Sequence, residues 1–224
     1  MRDKVLVALV LVFAIACLGV GYARAVTLGV GSTNHTTTVT QTSTVQNETA
    51  PFTLTLVIST DNTFNSSIGV QPAYYVVGPS GLVSSAKISL PAHRPIRLVI
   101  FNYDNGSATL VSPGYSEVNG TSGGTITYVN DTSLNSTQTA AGISIRGART
   151  VSSVPSDDIA HTFTIPALGI NIPVPVSSTV VATFTIDETG TFQWFCMTEC
   201  GSGATGIGGA MLTPGWMTGA VTFS

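Results

Sequence analysis

The sequence predicts an all-β protein, an antiparallel β-sandwich. Short runs of alternating or β-branched residues follow one another, and Gly, Pro and Asn separate them, as is typical of strands joined by turns. Outside an apolar N-terminal segment, no stretch shows sustained helical periodicity. Without that segment and a polar tail next to it, about 170 residues remain, enough for one domain with a substantial core. These three observations together indicate a sandwich.

The N-terminal segment, residues 5–23, is almost continuously apolar and follows Arg2 and Lys4. It is long enough to cross a bilayer, and the basic residues before it direct the rest of the chain to the extracytoplasmic side. A cleaved secretory signal is the alternative, because Ala23-Arg24-Ala25 resembles a small-x-small cleavage site. We predict that residues 1–25 are a retained transmembrane helix, and under both interpretations the domain is extracytoplasmic.

Residues 26–51 are rich in Thr, Ser, Asn and Gln and contain little that forms a core. This composition predicts a flexible stalk between the membrane and a domain at 52–224. Asn-x-Ser/Thr sequons favour a glycosylated outer face, and they occur at Asn34, Asn47, Asn65, Asn105, Asn119, Asn130 and Asn135.

The surface composition is polar but carries few charges. Only 8% of the residues are charged, and Lys4 and Lys87 are the two lysines, so the chain lacks the basic surface that nucleic-acid binding requires. Core strands are expected at 53–58, 73–77, 96–102, 161–165, 180–186, 191–195 and 220–223. Residues near 112–156 are rich in Gly, Ser, Thr and Asn, with weak strands at 126–129 and 143–145. We predict an insertion between two core strands there.

Two cysteines lie where the strand at 191–195 ends. Cys196 and Cys200 are four residues apart, in a position where a loop is held by the scaffold and is free to wrap an ion. His161 begins another alternating strand, and Met211 and Met217 follow the cysteines in a Gly-rich loop. One imidazole, two thiols and a thioether form a ligand set that suits copper.

Three stretches of the chain, which lie within 87–102 and 157–224, resemble subunit II of cytochrome oxidase. Residues 87–102 are similar to the strand before its first metal ligand, and residues 158–170, with His161 and an Ile-Pro-Ala-Leu-Gly continuation, are similar to its His-containing strand. Cys-x-x-x-Cys-Gly at 196–201 resembles its binuclear copper loop. The resemblance implies a cupredoxin, which is a Greek-key sandwich, with copper and electron transfer in a respiratory chain. It also implies partners among terminal oxidase subunits or other redox proteins. The long loop, Ser/Thr-rich stalk and single anchor also resemble sulfocyanin.

The chain departs from that family at the end of the copper loop. The positions of its second His and its Met are Ala204 and Ile207 here, and matching the Met to Met217 instead puts the His at Pro214. The second imidazole is absent under both alignments, which leaves a modified binuclear, a mononuclear or a vestigial site. The backbone carbonyl that ligates copper in the family corresponds to that of Thr198. The predicted ligands are therefore His161, Cys196, the Thr198 carbonyl, Cys200 and Met217.

Other interpretations of these residues remain open. Cys196 and Cys200 also suit a disulfide in an oxidising exterior, which would make the chain a metal-free structural or assembly protein of cupredoxin fold. His93 lies beside Arg94 and Pro95 at a strand start and is interpreted as a surface residue. The sequence shows no nucleophile elbow, phosphate loop or paired carboxylates, so a redox carrier or oxidase subunit is favoured over a stand-alone catalyst.

Overall fold

The computed structural model describes residues 50–60, 71–130, 135–139, 142–201 and 209–224. The chain divides into two units, Met1–Gln46 and Asn47–Ser224, and all described residues belong to the second. The predicted transmembrane helix and nearly all of the predicted stalk lie outside the described residues and stay predictions. Within the described ranges, no helix is both long and apolar enough to cross a membrane.

Fourteen strands make up the described fold. They are β1 (Phe52–Ser59), β2 (Ala73–Gly78), β3 (Gly81–Ser84), β4 (Lys87–Leu90), β5 (Ile96–Asn102), β6 (Ile126–Asn130), β7 (Asn135–Thr139), β8 (Gly142–Arg146), β9 (Arg149–Val151), β10 (Ile159–Ile165), β11 (Ile170–Pro175), β12 (Ser178–Phe184), β13 (Gly190–Phe195) and β14 (Thr218–Phe223). One sheet has the order β3-β2-β1-β5-β12-β6-β9 and another the order β11-β10-β13-β14-β4, while β7 and β8 form a separate hairpin.

The predicted β-sandwich is confirmed, and each of the seven expected core strands is present. The chain passes repeatedly between the two large sheets, for example from β3 to β4 and back to β5, as in Greek-key sandwiches. The expectation of purely antiparallel pairing is wrong in two places, because β1 pairs with β5 and β4 pairs with β14 in parallel. Parallel neighbours require a crossover connection, and the excursion of the chain into the opposite sheet supplies one.

The region near 112–156 extends the first sheet. β6 pairs with β12 and β9 pairs with β6, so these strands lengthen the sheet beyond its central strands. The side chains of Val118, Ile126 and Val154 are buried in the common core. The segment predicted as an insertion therefore contributes both strands and core residues to the sandwich.

Aromatic side chains fill the core below the cysteines. Trp194 is fully buried, its ring stacks on Phe163 at a centroid distance of 5.4 Å, and its centroid lies 5.2 Å from that of Tyr74. The indole Nε1–H donates to the Ser85 carbonyl oxygen at 3.2 Å, so the one polar group of this ring is satisfied. Because β13 carries Trp194 two residues before Cys196, this packing fixes the point where the cysteine loop begins.

A substitution at Gly219 tests how tightly this part of the core is packed. A Cβ at Gly219 would lie 2.6 Å from both the Ser85 carbonyl oxygen and Trp194 Nε1. We expect Gly219→Ala to lower the free energy of unfolding by about 1–3 kcal/mol, because the Ser85 carbonyl and the packed indole are held against each other by a hydrogen bond and neither moves easily. Gly114→Ala is the control, since its Cβ would have no atom within 4 Å. Urea denaturation of both variants measures the difference, and equal stabilities would contradict this packing.

Candidate metal centre

β10 carries His161, and all seven of its residues are buried. Its pairing with β11 shifts register between Ile159 and His161, which leaves Ala160 as an extra residue in a β-bulge. Bulges re-aim the neighbouring side chains and release backbone groups from the ladder. Here the bulge gives the Ala160 carbonyl a partner outside β11, in the loop that carries the two cysteines.

The cysteine loop takes the place of a strand beside β10. β13 ends at Phe195, and the only residue pair between β10 and β13 in their described ladder is Thr164 with Phe195. Past that point the Thr162 N–H donates to Cys196 Sγ at 3.4 Å, and the Met197 N–H donates to Thr162 Oγ1 at 2.8 Å. The loop therefore follows β10 toward its start, where His161 lies.

Three soft or imidazole donors meet at this place. Nδ1 of His161 lies 3.0 Å from Cys200 Sγ and 3.8 Å from Cys196 Sγ, and all three ligand atoms lie within 4.8 Å of one another. Each of the three residues is about 1% exposed. The two Sγ atoms are 3.2 Å apart, well beyond the roughly 2.05 Å of a disulfide bond, and both cysteines are free thiols. The structure thus brings three of the predicted ligands together in a group that could hold a metal ion.

Thr198 contacts both sulfur atoms through its side chain. Its hydroxyl donates to the Ala160 carbonyl oxygen at 3.0 Å and lies 3.1 Å from Cys196 Sγ and 2.8 Å from Cys200 Sγ. Its backbone carbonyl accepts a hydrogen bond from the Cys200 N–H at 2.9 Å, so ligation by this carbonyl stays a prediction. The contact of the hydroxyl with the sulfurs was missed, although a hydroxyl residue midway between two cysteines is a signal for it.

The remaining candidate ligands differ in position. Met217 is fully buried, and its carbonyl accepts the Cys196 N–H at 2.8 Å, so its backbone lies directly against the first cysteine; thioether ligation stays a prediction. Met211 is half-buried and packs against the core. His93 has a side chain that is 67% exposed and lies 3.5 Å from Asp187, as expected of a surface residue.

Asp104 is a member of the site that sequence reasoning missed. It lies in the loop after β5, and its Oδ2 is 3.1 Å from Nε2 of His161. The imidazole therefore contacts a carboxylate through one nitrogen and the two sulfurs through the other. Nothing in the local sequence marks this aspartate, because it is 57 residues from its histidine partner.

The pKa shifts describe how protons are distributed among His161, Cys196 and Cys200. Burial alone would lower the pKa of His161, but hydrogen bonds to Asp104 and Cys196 and their charges raise it to about 9. Burial would raise the pKa of Cys196, yet hydrogen bonds with Cys200 and His161 and the charge of His161 hold it well below its usual value. Burial and the neighbouring Cys196 raise the pKa of Cys200 well above its usual value. These shifts favour the charged form of Cys196 and the protonated forms of His161 and Cys200.

The segment at 108–111 closes the site from outside. It pairs with the cysteine loop at a bridge between Leu110 and Thr198. Three backbone hydrogen bonds hold it there: Ala108 N–H to the Ile159 carbonyl at 2.9 Å, Val111 N–H to the Met197 carbonyl at 3.0 Å and Glu199 N–H to the Thr109 carbonyl at 2.8 Å. The donor atoms are thereby separated from solvent on the side of the loop.

Comparisons with known proteins found similarity to solved structures alone. No protein-family model matches the chain, and no curated protein matches it. Similar solved structures include the periplasmic domain of subunit II of cytochrome oxidase (CoxB) of Bradyrhizobium japonicum, at 13% identity and a TM-score of 0.32, over 76% of this chain and 83% of that one. Auracyanin B matches at 14% identity and a TM-score of 0.32, over 78% and 91%. Rusticyanin from Thiobacillus ferrooxidans matches at 13% identity and a TM-score of 0.29, over 77% and 76%. These neighbours are cupredoxins. At such TM-scores they carry no argument about the site, which stands on its own geometry.

Proposed function

We propose that this protein is a membrane-anchored cupredoxin that binds copper and transfers electrons in a respiratory chain on the extracytoplasmic face. The observation that carries the proposal is the buried group of one imidazole and two free thiols at one end of a β-sandwich. Two parts of the scaffold hold the donors. His161 is held by β10, and the two cysteines are held by a loop that hydrogen bonds tie to β10.

The donor set fits copper. Thiolate sulfur is a soft ligand that selects Cu(I) and Zn, and imidazole suits both copper and zinc. A structural zinc site needs four Cys or His ligands, whereas His161, Cys196 and Cys200 are the three such residues that converge in the described parts of the chain. The predicted fourth ligand, Met217, is a thioether, which suits copper in a site of this kind. The composition of the site therefore favours copper over zinc.

The number of imidazoles favours one metal ion. The chain has three histidines: His161 in the site, His93 on the surface beside Asp187, and His35, which lies outside the described residues. A binuclear centre of the resembled family takes a terminal imidazole for each copper, and here one imidazole faces the two sulfurs. We therefore propose a mononuclear centre with His161 Nδ1, Cys196 Sγ and Cys200 Sγ as ligands, completed by Met217.

The closure of the site favours electron transfer over substrate chemistry. Copper supplies a one-electron couple when it is bound. The residues around it hold the donors rigidly, because Thr198 fixes the loop against β10 and the segment at 108–111 covers the loop. A rigid donor set keeps the geometry similar in both redox states, and the burial of the cysteines leaves no open position for a substrate.

The proposed location follows from the sequence. An anchor at 5–23 would keep the domain near membrane-bound partners, and a stalk at 26–51 would let it reach them. Terminal oxidase subunits or other redox proteins are the partners we propose. Purified full-length protein loaded with copper should be reduced and re-oxidised rapidly by membranes of its own source, and an oxidase should co-purify in mild detergent. A copper protein that these membranes neither reduce nor oxidise would contradict the respiratory assignment and leave copper binding intact.

Substitution of a proposed ligand should change the colour of the oxidised protein. We expect Cys196→Ser to weaken and shift the visible Cu(II)–thiolate absorption, because it removes one of the two thiolates from which that absorption arises. His93→Ala is the matched control and should leave the spectrum unchanged, since His93 lies on the surface. Equal loss in both variants would show that the ligand assignment is wrong.

The metal-free alternative rests on the proximity of the two sulfurs, which are not bonded at 3.2 Å but are close enough for oxidation to join them after a small movement. In the full-length chain, a structural or assembly protein with a Cys196–Cys200 disulfide would show no visible absorption, no copper after purification and, on titration after denaturation, no free thiol other than that of Cys17.

Copper binding should release protons. Cu(I) at Nδ1 displaces the proton of the His161 imidazolium, whose pKa is raised to about 9, and Cu(I) at Cys200 displaces the proton of a thiol whose pKa is raised. At pH 7 we expect the release of about two protons per copper. The affinity should rise with pH and continue to rise above pH 9, where His161 has lost its proton but the Cys200 thiol, whose pKa is raised, still holds one. A pH indicator in weakly buffered solution measures the release. Binding without proton release would contradict this ligand set.

A further inference from the structure

Asp104 joins the site from the opposite sheet. It follows β5 of the first sheet, while His161 and the cysteines belong to the second sheet and its loop. The side chain of Asp104 is 17% exposed, and that of His161 is 2% exposed. The 3.1 Å contact between Oδ2 and Nε2 is therefore largely shielded from water, where a hydrogen bond to a charged group is strongest.

The carboxylate of Asp104 is held in place by its own loop. Its Oδ1 accepts the Gly106 N–H at 2.9 Å, and its backbone N–H donates to Asn102 Oδ1 at 3.0 Å. Its backbone carbonyl accepts the Ser177 N–H at 2.8 Å. Asn102 in turn donates to the Pro175 carbonyl at 2.8 Å, which ties this loop to the end of β11. With both oxygens engaged, the carboxylate faces His161 in one orientation.

This arrangement determines which nitrogen of His161 faces the sulfurs. Nε2 carries a proton and donates it to Asp104, so Nδ1 is the atom directed at Cys196 and Cys200. A metal-bound imidazole whose other nitrogen donates to a carboxylate is oriented by it and becomes a more basic ligand. A negative charge at this distance also favours the more positive redox state of a metal on the other side of the ring.

We propose that Asp104 is a positioning residue that fixes Nδ1 of His161 as the ligand atom and lowers the reduction potential of the bound copper. This inference rests on the proposed copper function. It adds to that function a determinant of the potential that lies outside the ligand set, in a loop that follows a strand of the other sheet.

The test uses full-length protein in mild detergent with copper as the probe. Asp104→Asn keeps the size of the side chain and removes its charge. We expect the affinity for Cu(II) to fall about 10- to 100-fold. The preference for Cu(I) over Cu(II) should rise about tenfold, which for a one-electron couple is a rise of about 59 mV in the reduction potential. Asp187→Asn is the matched control, because Asp187 is 85% exposed and has His93, a residue outside the site, as its partner. It should leave affinity and potential unchanged.

The variant Asp104→Glu tests whether the charge of residue 104, or only its packing, sets the reduction potential. It keeps the carboxylate and should restore most of the wild-type potential, whereas a potential equal to that of Asp104→Asn would overturn the inference. So would a potential in Asp104→Asn that matches the Asp187→Asn control. Should Asp104→Asn fail to fold, Asp104→Ser replaces it with the same expectation, and failure of both to fold would overturn the inference in favour of a structural role.

A measurement on metal-free protein distinguishes this inference from the copper proposal. In the wild type, proton NMR should show a His161 Nε2–H resonance that is shifted downfield and exchanges slowly with water, and Asp104→Asn should shift it or remove it. If the wild type shows this resonance but binds no copper, the proposed function and the effect on the potential are both overturned. Only the claim that Asp104 orients the imidazole then stands. A wild type that binds copper without this resonance would overturn the positioning role alone.

Discussion

The structure of the site depends on where the backbone N–H and carbonyl groups of β10 find hydrogen-bond partners beyond the end of β13. Backbone N–H and carbonyl groups in a buried strand need partners, and beyond Phe195 the sheet no longer supplies them. The Thr162 N–H donates to the sulfur of Cys196, and the Ala160 carbonyl, released by a bulge, accepts the hydroxyl of Thr198. The same two bonds that complete the strand therefore place the cysteine loop over His161. Metal ligands and strand partners are in this way parts of one hydrogen-bond network.

This coupling explains why the donors are buried and lie close together. The loop is fixed on its inner side by β10 and on its outer side by the segment at 108–111. Below it, Trp194 and Phe163 fill the core, so the loop cannot sink into the sandwich. Holding two thiols and an imidazolium in such a small volume is costly, and the opposite charges of Cys196 and His161 offset part of that cost. A metal cation that takes the place of the protons on His161 and Cys200 would offset the remaining cost.

The sequence was informative where the chemistry is local. Alternating residues predicted the core strands, and two thiols four residues apart at a strand end predicted where the loop and the site begin. It was uninformative about contacts between distant residues. Asp104 reaches His161 across 57 positions and from the other sheet, and an aspartate in a polar loop resembles any solvated aspartate.

β11 was also missed, because Pro173 and Pro175 argue against a strand. The two prolines are tolerated since β11 is an edge strand whose free side needs no ladder bonds. The two parallel pairings depend on crossovers between sheets, which no local pattern encodes.

The central claim is that one copper ion is bound by the imidazole of His161 and the sulfurs of Cys196 and Cys200. X-ray absorption at the copper edge of the loaded full-length protein tests it most directly, because it reports the types and numbers of atoms bonded to the metal. The account predicts a first shell with two short sulfur bonds and one imidazole nitrogen, and no copper neighbour. A shell of nitrogen and oxygen alone, or a short copper–copper distance, would contradict it.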